Sequence, residues 1–136
     1  MIKYTKEMLG LILKDHKLWL NGNNTGKRAD LSNANLYKAD LRDANLKGAI
    51  LMNADLGDAN LKGADLNGAD LEYAKLRDAN LDGADLSGAN LIRAILIGAN
   101  LEDANLSGAD LSGASLRGAN LIDVNLSDAI LSGAIF

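Results

Sequence analysis

The sequence predicts an all-β solenoid, a right-handed quadrilateral parallel β-helix of about five coils over residues 29–136, with a short N-terminal capping α-helix in residues 1–28. Three observations predict it. Every fifth residue from Leu31 to Leu131 is leucine, 21 in all, and Phe136 takes the next slot. Two residues before each leucine stands alanine, from Ala29 to Ala129, with Val124 as the one substitution. Two residues after each leucine, glycine occurs ten times, aspartate six and asparagine two, leaving only Lys38, Tyr73 and Arg93 as other types.

A period of five suits neither regular element. On an α-helix, successive leucines would lie ~140° apart and form no stripe. On a straight strand, an odd period sends alternate leucines to opposite faces. The backbone must therefore bend once per unit. Writing each unit as Ala–Asx–Leu–x–z, alanine and leucine are two apart and point inward together, while Asx and x point outward. The z slot is the corner, because Gly, Asp and Asn are turn formers and tolerate positive φ. The Asx side chain can hold that turn by bonding nearby backbone.

A bend near 90° closes a coil in four units, or 20 residues; the alternative, a triangular coil, would need 15. Glycines at 48, 68, 88 and 108 share one corner at the spacing of 20, as though it needs a turn unlike the others. Right-handed winding is the preference of parallel crossovers. Coils would stack ~4.8 Å apart, with leucines filling a narrow interior that leaves alanine room for nothing larger. Proline is absent, which suits an unbroken ladder.

The units Ala34-Asn35-Leu36, Ala64-Asp65-Leu66 and Ala84-Asp85-Leu86-Ser87-Gly88 resemble the A(D/N)LXX signature of the pentapeptide repeat family. The resemblance covers residues 29–136 and implies the quadrilateral β-helix. It implies little about activity. Departures fall mainly in the Asx slot, at Ile50, Lys75, Ile95, Ser115 and Ile130.

Residues 1–28 lie outside the repeat. Met8, Leu11, Ile12, Leu18 and Trp19 recur at helical spacing, predicting an amphipathic helix from Thr5 to about Leu20. Thr5 suits an N-cap and Glu7 the first turn. Asn21 to Gly26 reads as a stop and turn. The helix is expected to cover the strand edge and apolar interior of the first coil. At the other end, Ala134-Ile135-Phe136 remains in frame, so Phe136 either plugs the last coil or meets another molecule.

The charge is uneven. Residues 1–28 carry six bases and two acids, whereas residues 29–136 carry eight bases and sixteen acids, a net of −8. There is no cysteine, which excludes disulfides and thiolate metal sites. No stretch reaches the ~20 apolar residues of a membrane span, and no secretory signal is visible, so a cytoplasmic location is expected.

No catalytic constellation is present. His16 is the single histidine and reads as a surface or packing residue rather than a general base. No serine of the repeat has a histidine partner there. Asp30, Asp70 and Asp110 fall in one outer column, alternating with Ile50 and Asn90, and read as turn-stabilising carboxylates rather than metal ligands. Catalytic, cofactor and metal sites are therefore assigned to no residue. Arg42, Lys62, Asp82 and Glu102 should stack on one face, with Lys62 opposite Asp82.

A cluster of outward isoleucines, Ile92, Ile95 and Ile97, with Tyr73 one coil below their corner, is a candidate contact surface. Met52 with Ile50 is a smaller patch. Ile135 and Phe136 make the C-terminal coil a second candidate interface, through which an end-to-end homodimer could form. The expected function is a non-enzymatic protein-binding or structural scaffold with an unidentified protein partner and no direct contact with nucleic acid or membrane. The alternative is a DNA mimic that binds a type II topoisomerase such as gyrase, an activity the resemblance includes and the acidic solenoid fits weakly.

Overall fold

The computed structural model describes all of residues 1–136. The repeat region winds with a register of 20 residues. Parallel pairings join Asp30 to Ile50, Asn35 to Asp55, Asp40 to Asn60 and Asn45 to Asp65, and continue in this register to Ser115 and Ile135. Four units therefore make one coil. We number the four faces by their first units, 29–33, 34–38, 39–43 and 44–48.

Each face is extended for only about three residues, so its ladder is short but repeats without a break. Leu51 shows the pattern. Its N–H donates to the Asp70 carbonyl of the next coil (2.7 Å), and the Asn53 N–H donates to the Glu72 carbonyl (2.9 Å). The Ile50 N–H donates back to the Ala29 carbonyl (2.9 Å). The corner closes when the Ala54 N–H donates to the Leu51 carbonyl (3.0 Å), making a β-turn of Leu, x, z and Ala.

Every z residue from Asn33 to Gly133 has positive φ, between 53° and 70°. Such a turn needs one left-handed residue, which Gly supplies freely and Asp or Asn tolerates. The expectation of a special turn at the Gly48 column is corrected by this uniformity. Gly68 has φ 64°, and Asp128 fills the same column at φ 57°. Lys38, Tyr73 and Arg93 adopt the same conformation.

Asx side chains brace the faces. Asp70 Oδ1 accepts from the Glu72 N–H (3.2 Å) and Asp110 Oδ1 from the Ser112 N–H (2.9 Å). Ser112 also donates its hydroxyl to Asp110, and these bonds hold that carboxyl below its ordinary value. Inside, the alanine and leucine columns from Ala49 to Leu116 are buried, leaving no room beyond the side chains themselves. Beyond Leu116 the burial lapses, and Leu121, Val124, Leu126 and Ala129 are only partly covered.

Before the repeat, β1 (Ile2–Lys3) pairs in parallel with β2 (Ala34–Asn35). This two-residue strand carries no periodic signal and was not legible in the sequence. The helix α1 spans Lys6–Leu20, with Thr5 as N-cap accepting the Met8 N–H at Oγ1 (3.2 Å). Its inward face differs from the expected one. Leu9 and His16 are buried, with Ile12 and Leu13 packed against the core, whereas Leu11 is 66% exposed and Met8 is also exposed. The choice falls to the face that can satisfy the first coil's backbone, which His16 does.

Candidate interaction surfaces

His16 is fully buried between α1 and the first coil. Its Nδ1 accepts the Ala29 N–H (3.0 Å), which puts the ring proton on Nε2. Nε2 then donates to the Lys47 carbonyl (3.0 Å). Burial lowers the pKa of the ring and the nearby Arg28 charge adds to this, against the opposing bond to Lys47. Trp19 stacks on the imidazole at 5.4 Å between centroids, and Arg28 lies over the indole while its Nε donates to the Gly48 carbonyl (2.6 Å). This is a structural histidine. Both ring nitrogens are occupied by backbone, leaving none for a substrate.

The candidate contact residues fall into one region. Ile92 lies on the first face, Ile95 and Ile97 lie on the second, and Arg93 turns the corner between them. All three isoleucines are half-buried rather than open, because outward side chains 20 residues away on either side flank them. Tyr73 is 41% exposed at the same corner one coil earlier. Arg93 donates from Nη1 to the Tyr73 hydroxyl (3.0 Å), with its guanidinium 5.8 Å from the ring centroid. Ile135 extends the Ile95 column by way of Ser115 and is 44% exposed. Phe136 occupies an inward slot of the last coil yet is 60% exposed, since nothing lies over it.

Residue type alone hid one feature that the register exposes. The second face carries four bases (Lys38, Lys75, Arg77, Arg117) and three acids. The third face carries two bases and six acids. The only ion pairs in the molecule, Arg42–Asp40 (2.7 Å) and Lys62–Asp82 (2.5 Å), both lie on the third face. Lys75, Arg77 and Arg117 thus stand without a carboxylate partner around Ile95 and Ile97. Sorting the sequence by residue number modulo the coil length would have found them. The expected stack of Lys62 on Asp82 is present, and Asp82 raises the pKa of Lys62.

An open groove of about 510 Å³ lies on the second face at Gly57, the one glycine in the x slot. Tyr37 leans across Gly57, where an added Cβ would stand 3.1 Å from its ring, and donates its hydroxyl to Asp58 Oδ2 (2.6 Å). That bond raises the Tyr37 pKa. No group of three or more histidines and carboxylates is placed to hold a metal ion, and no helix is long and apolar enough to cross a membrane.

A solenoid of stacked five-residue units, with its exposed chemistry confined to flat outer columns, defines a class of repeat protein. The family profile for pentapeptide repeats matches in eight copies, over residues 29–68, 49–88, 64–103 and 99–136. The chain belongs to the pentapeptide repeat family, and its solenoid is a right-handed β-helix.

Among solved structures, a pentapeptide repeat protein from Nostoc is 33% identical over 92% of this chain and 97% of its own, with a TM-score of 0.53. A pentapeptide repeat protein of the Arabidopsis thaliana thylakoid lumen is 32% identical with the same TM-score of 0.53. That match covers 70% of this chain and spans only 63% of the Arabidopsis protein. No curated protein matches in sequence.

Proposed function

We propose that this protein is a non-enzymatic, cytoplasmic scaffold that binds another protein through the second face and the corner beside it. In this reading α1 caps one end of a rigid rod of about five coils. The observation that supports it most is the aliphatic surface of Ile92, Ile95, Ile97 and Ile135, bordered by Tyr73 and unpaired bases on an otherwise acidic solenoid. Surfaces that join aliphatic and aromatic side chains to arginine are typical contact sites. The test is capture of partners on the wild-type chain and on a variant with Ile92→Ser, Ile95→Ser and Ile97→Ser. A partner retained by the wild type and lost by the variant supports the surface; equal retention removes it.

The C-terminal coil is the second element of this proposal. Ile135 and Phe136, with the partly covered leucines behind them, suit an end-to-end homodimer of the 136-residue chain. Sedimentation should give a dimer for the wild type and a monomer for Phe136→Glu. Monomers for both would remove the dimer. The DNA-mimic alternative rests on the family resemblance and the net charge of −8, and the second face breaks that acidic surface with a net of +1. A gyrase supercoiling assay decides it, since a mimic must inhibit or protect at micromolar protein.

A further inference from the structure

The N-terminal end leaves backbone groups of its first coil without partners, and on the third face an open groove adjoins them. Within the stack, the third face receives three backbone bonds per coil. The Asn60 N–H donates to the Ala39 carbonyl (2.9 Å), the Asn60 carbonyl accepts from Leu41 (2.8 Å), and the Lys62 carbonyl accepts from Asp43 (2.9 Å). The equivalent groups of the first coil are the Asp40 N–H and the carbonyls of Asp40 and Arg42. None of them has a backbone partner. On the second face β1 pairs with Ala34–Asn35. On the fourth His16 takes the Lys47 carbonyl, leaving the Asn45 N–H and carbonyl without a backbone partner, and on the first the Asp30 N–H and the Asp30 and Ser32 carbonyls have none either. The third-face groups differ from these in bordering an open apolar groove.

Beside this edge runs an open groove of about 450 Å³ between α1 and the coil. Leu9, Leu13 and Leu41 form its apolar wall, and Lys3, Lys6 and Lys38 stand around it. The one carboxylate there, Asp40, is already held in two bonds by Arg42 (2.8 and 2.7 Å), which push its pKa down to about 2. The charge left facing the groove is positive.

We propose that this edge and groove dock an extended segment of a partner protein in which acidic and aliphatic side chains alternate. The segment adds a strand beside β1. Its backbone pairs with the free groups of Asp40 and Arg42, its aliphatic side chains enter the groove against Leu9 and Leu41, and its carboxylates face Lys6 and Lys38. Free amide and carbonyl groups on the edge match a peptide backbone, which an acyl chain cannot supply. A long polyanion would meet the repulsion of the solenoid's net −8 beyond the local lysines, whose field reaches only ~8 Å at physiological salt. The proposal rests on the reading of this chain as a binding protein but uses a surface remote in sequence from Ile92, Ile95 and Ile97.

The probe is a blocked hexapeptide alternating glutamate and valine, titrated into the ¹⁵N-labelled chain. The Asp40 amide should shift and its exchange should slow by about tenfold or more. Combining Lys6→Glu with Lys38→Glu, both at exposed positions, should weaken binding by about tenfold. The variant lacking the three isoleucines should bind the peptide as the wild type does. Retained peptide binding there, together with unchanged partner capture, would sink the isoleucine surface and leave this site standing. The site itself is overturned by an unmoved Asp40 amide at millimolar peptide. Equal binding of a lysine–valine peptide, or binding of anionic phosphatidylglycerol vesicles in place of the peptide, also overturns it.

Discussion

The two ends of the solenoid are built from the same units but finished differently. At the N-terminal end, Leu31, Leu36, Leu41 and Leu46 are as buried as leucines in mid-stack, because α1 and β1 lie against the first coil. At the C-terminal end, Leu121 and Leu126 are partly covered and Leu131 is exposed. Backbone follows side chain. Leu116 is the last leucine whose N–H finds a carbonyl in a following coil, and Leu121, Leu126 and Leu131 have none. By this difference a repeat unit depends on its neighbours for much of its stability. Each leucine contributes according to whether a layer lies on both sides of it, as expected when stability is a sum of neighbour interfaces.

The largest effect that would break this comparison comes from deleting leucine side chains. Leu81→Ala, with full coils on both sides, should lower stability by ~2–5 kcal/mol in denaturant unfolding, whereas Leu131→Ala should lower it by under ~1 kcal/mol. Similar losses at both positions would mean that the last coil is as firmly held as the middle. Next, His16→Ala strips a partner from the buried Ala29 N–H and from the Lys47 carbonyl together. The expected loss is ~1–3 kcal/mol, concentrated in α1 and the first coil. An unchanged midpoint with α1 still protected would show that the helix docks without the imidazole.

A third test sharpens the same contact by pH. The folded protein holds His16 neutral, below its ordinary value of 6.5, chiefly because the ring is buried. The unfolded chain takes up the proton first as pH falls. Stability should therefore be level above about pH 6.5, decline as pH drops through 6.5 towards the lower folded value, and level off below it. His16→Ala should lose this slope. Scans should stay above about pH 5, where the carboxylates of Asp30, Asp40 and Asp110, all held low by their own hydrogen bonds, do not yet contribute. The smallest effect is at a corner. Lys38→Gly relieves a left-handed lysine at φ 59° and should add ~1 kcal/mol of stability. Tyr73→Gly should gain less, because it also removes the hydrogen bond from Arg93.

How much was legible follows from how often each environment recurs. The inward leucine, the inward alanine and the left-handed corner repeat 21 times, so chance substitutions average out and the period shows through. The glycines at 48, 68, 88 and 108 misled for the same reason. With one conformation at every corner, Gly, Asp and Asn are interchangeable, and a column of one type carries no meaning about the turn. Helix α1 occurs once. Its apolar residues Met8 and Leu11 competed with Leu9 and Leu13 for the inward face, and His16 decided the matter through backbone groups far along the chain. β1 is two residues long, too short for any periodicity. The isoleucines occupy outward slots that the period assigns, but their half-burial depends on neighbours 20 residues away, which a linear reading does not weigh.

Residue-resolved amide hydrogen exchange tests the central comparison most directly. The account predicts slow exchange for Leu31, Leu51, Leu81 and Leu106 alike, a protected Ala29 beneath His16, and fast exchange for Leu121, Leu126 and Leu131. Equal protection of Leu131 and Leu31 in a monomeric sample, or an unprotected Ala29 with α1 intact, would contradict it.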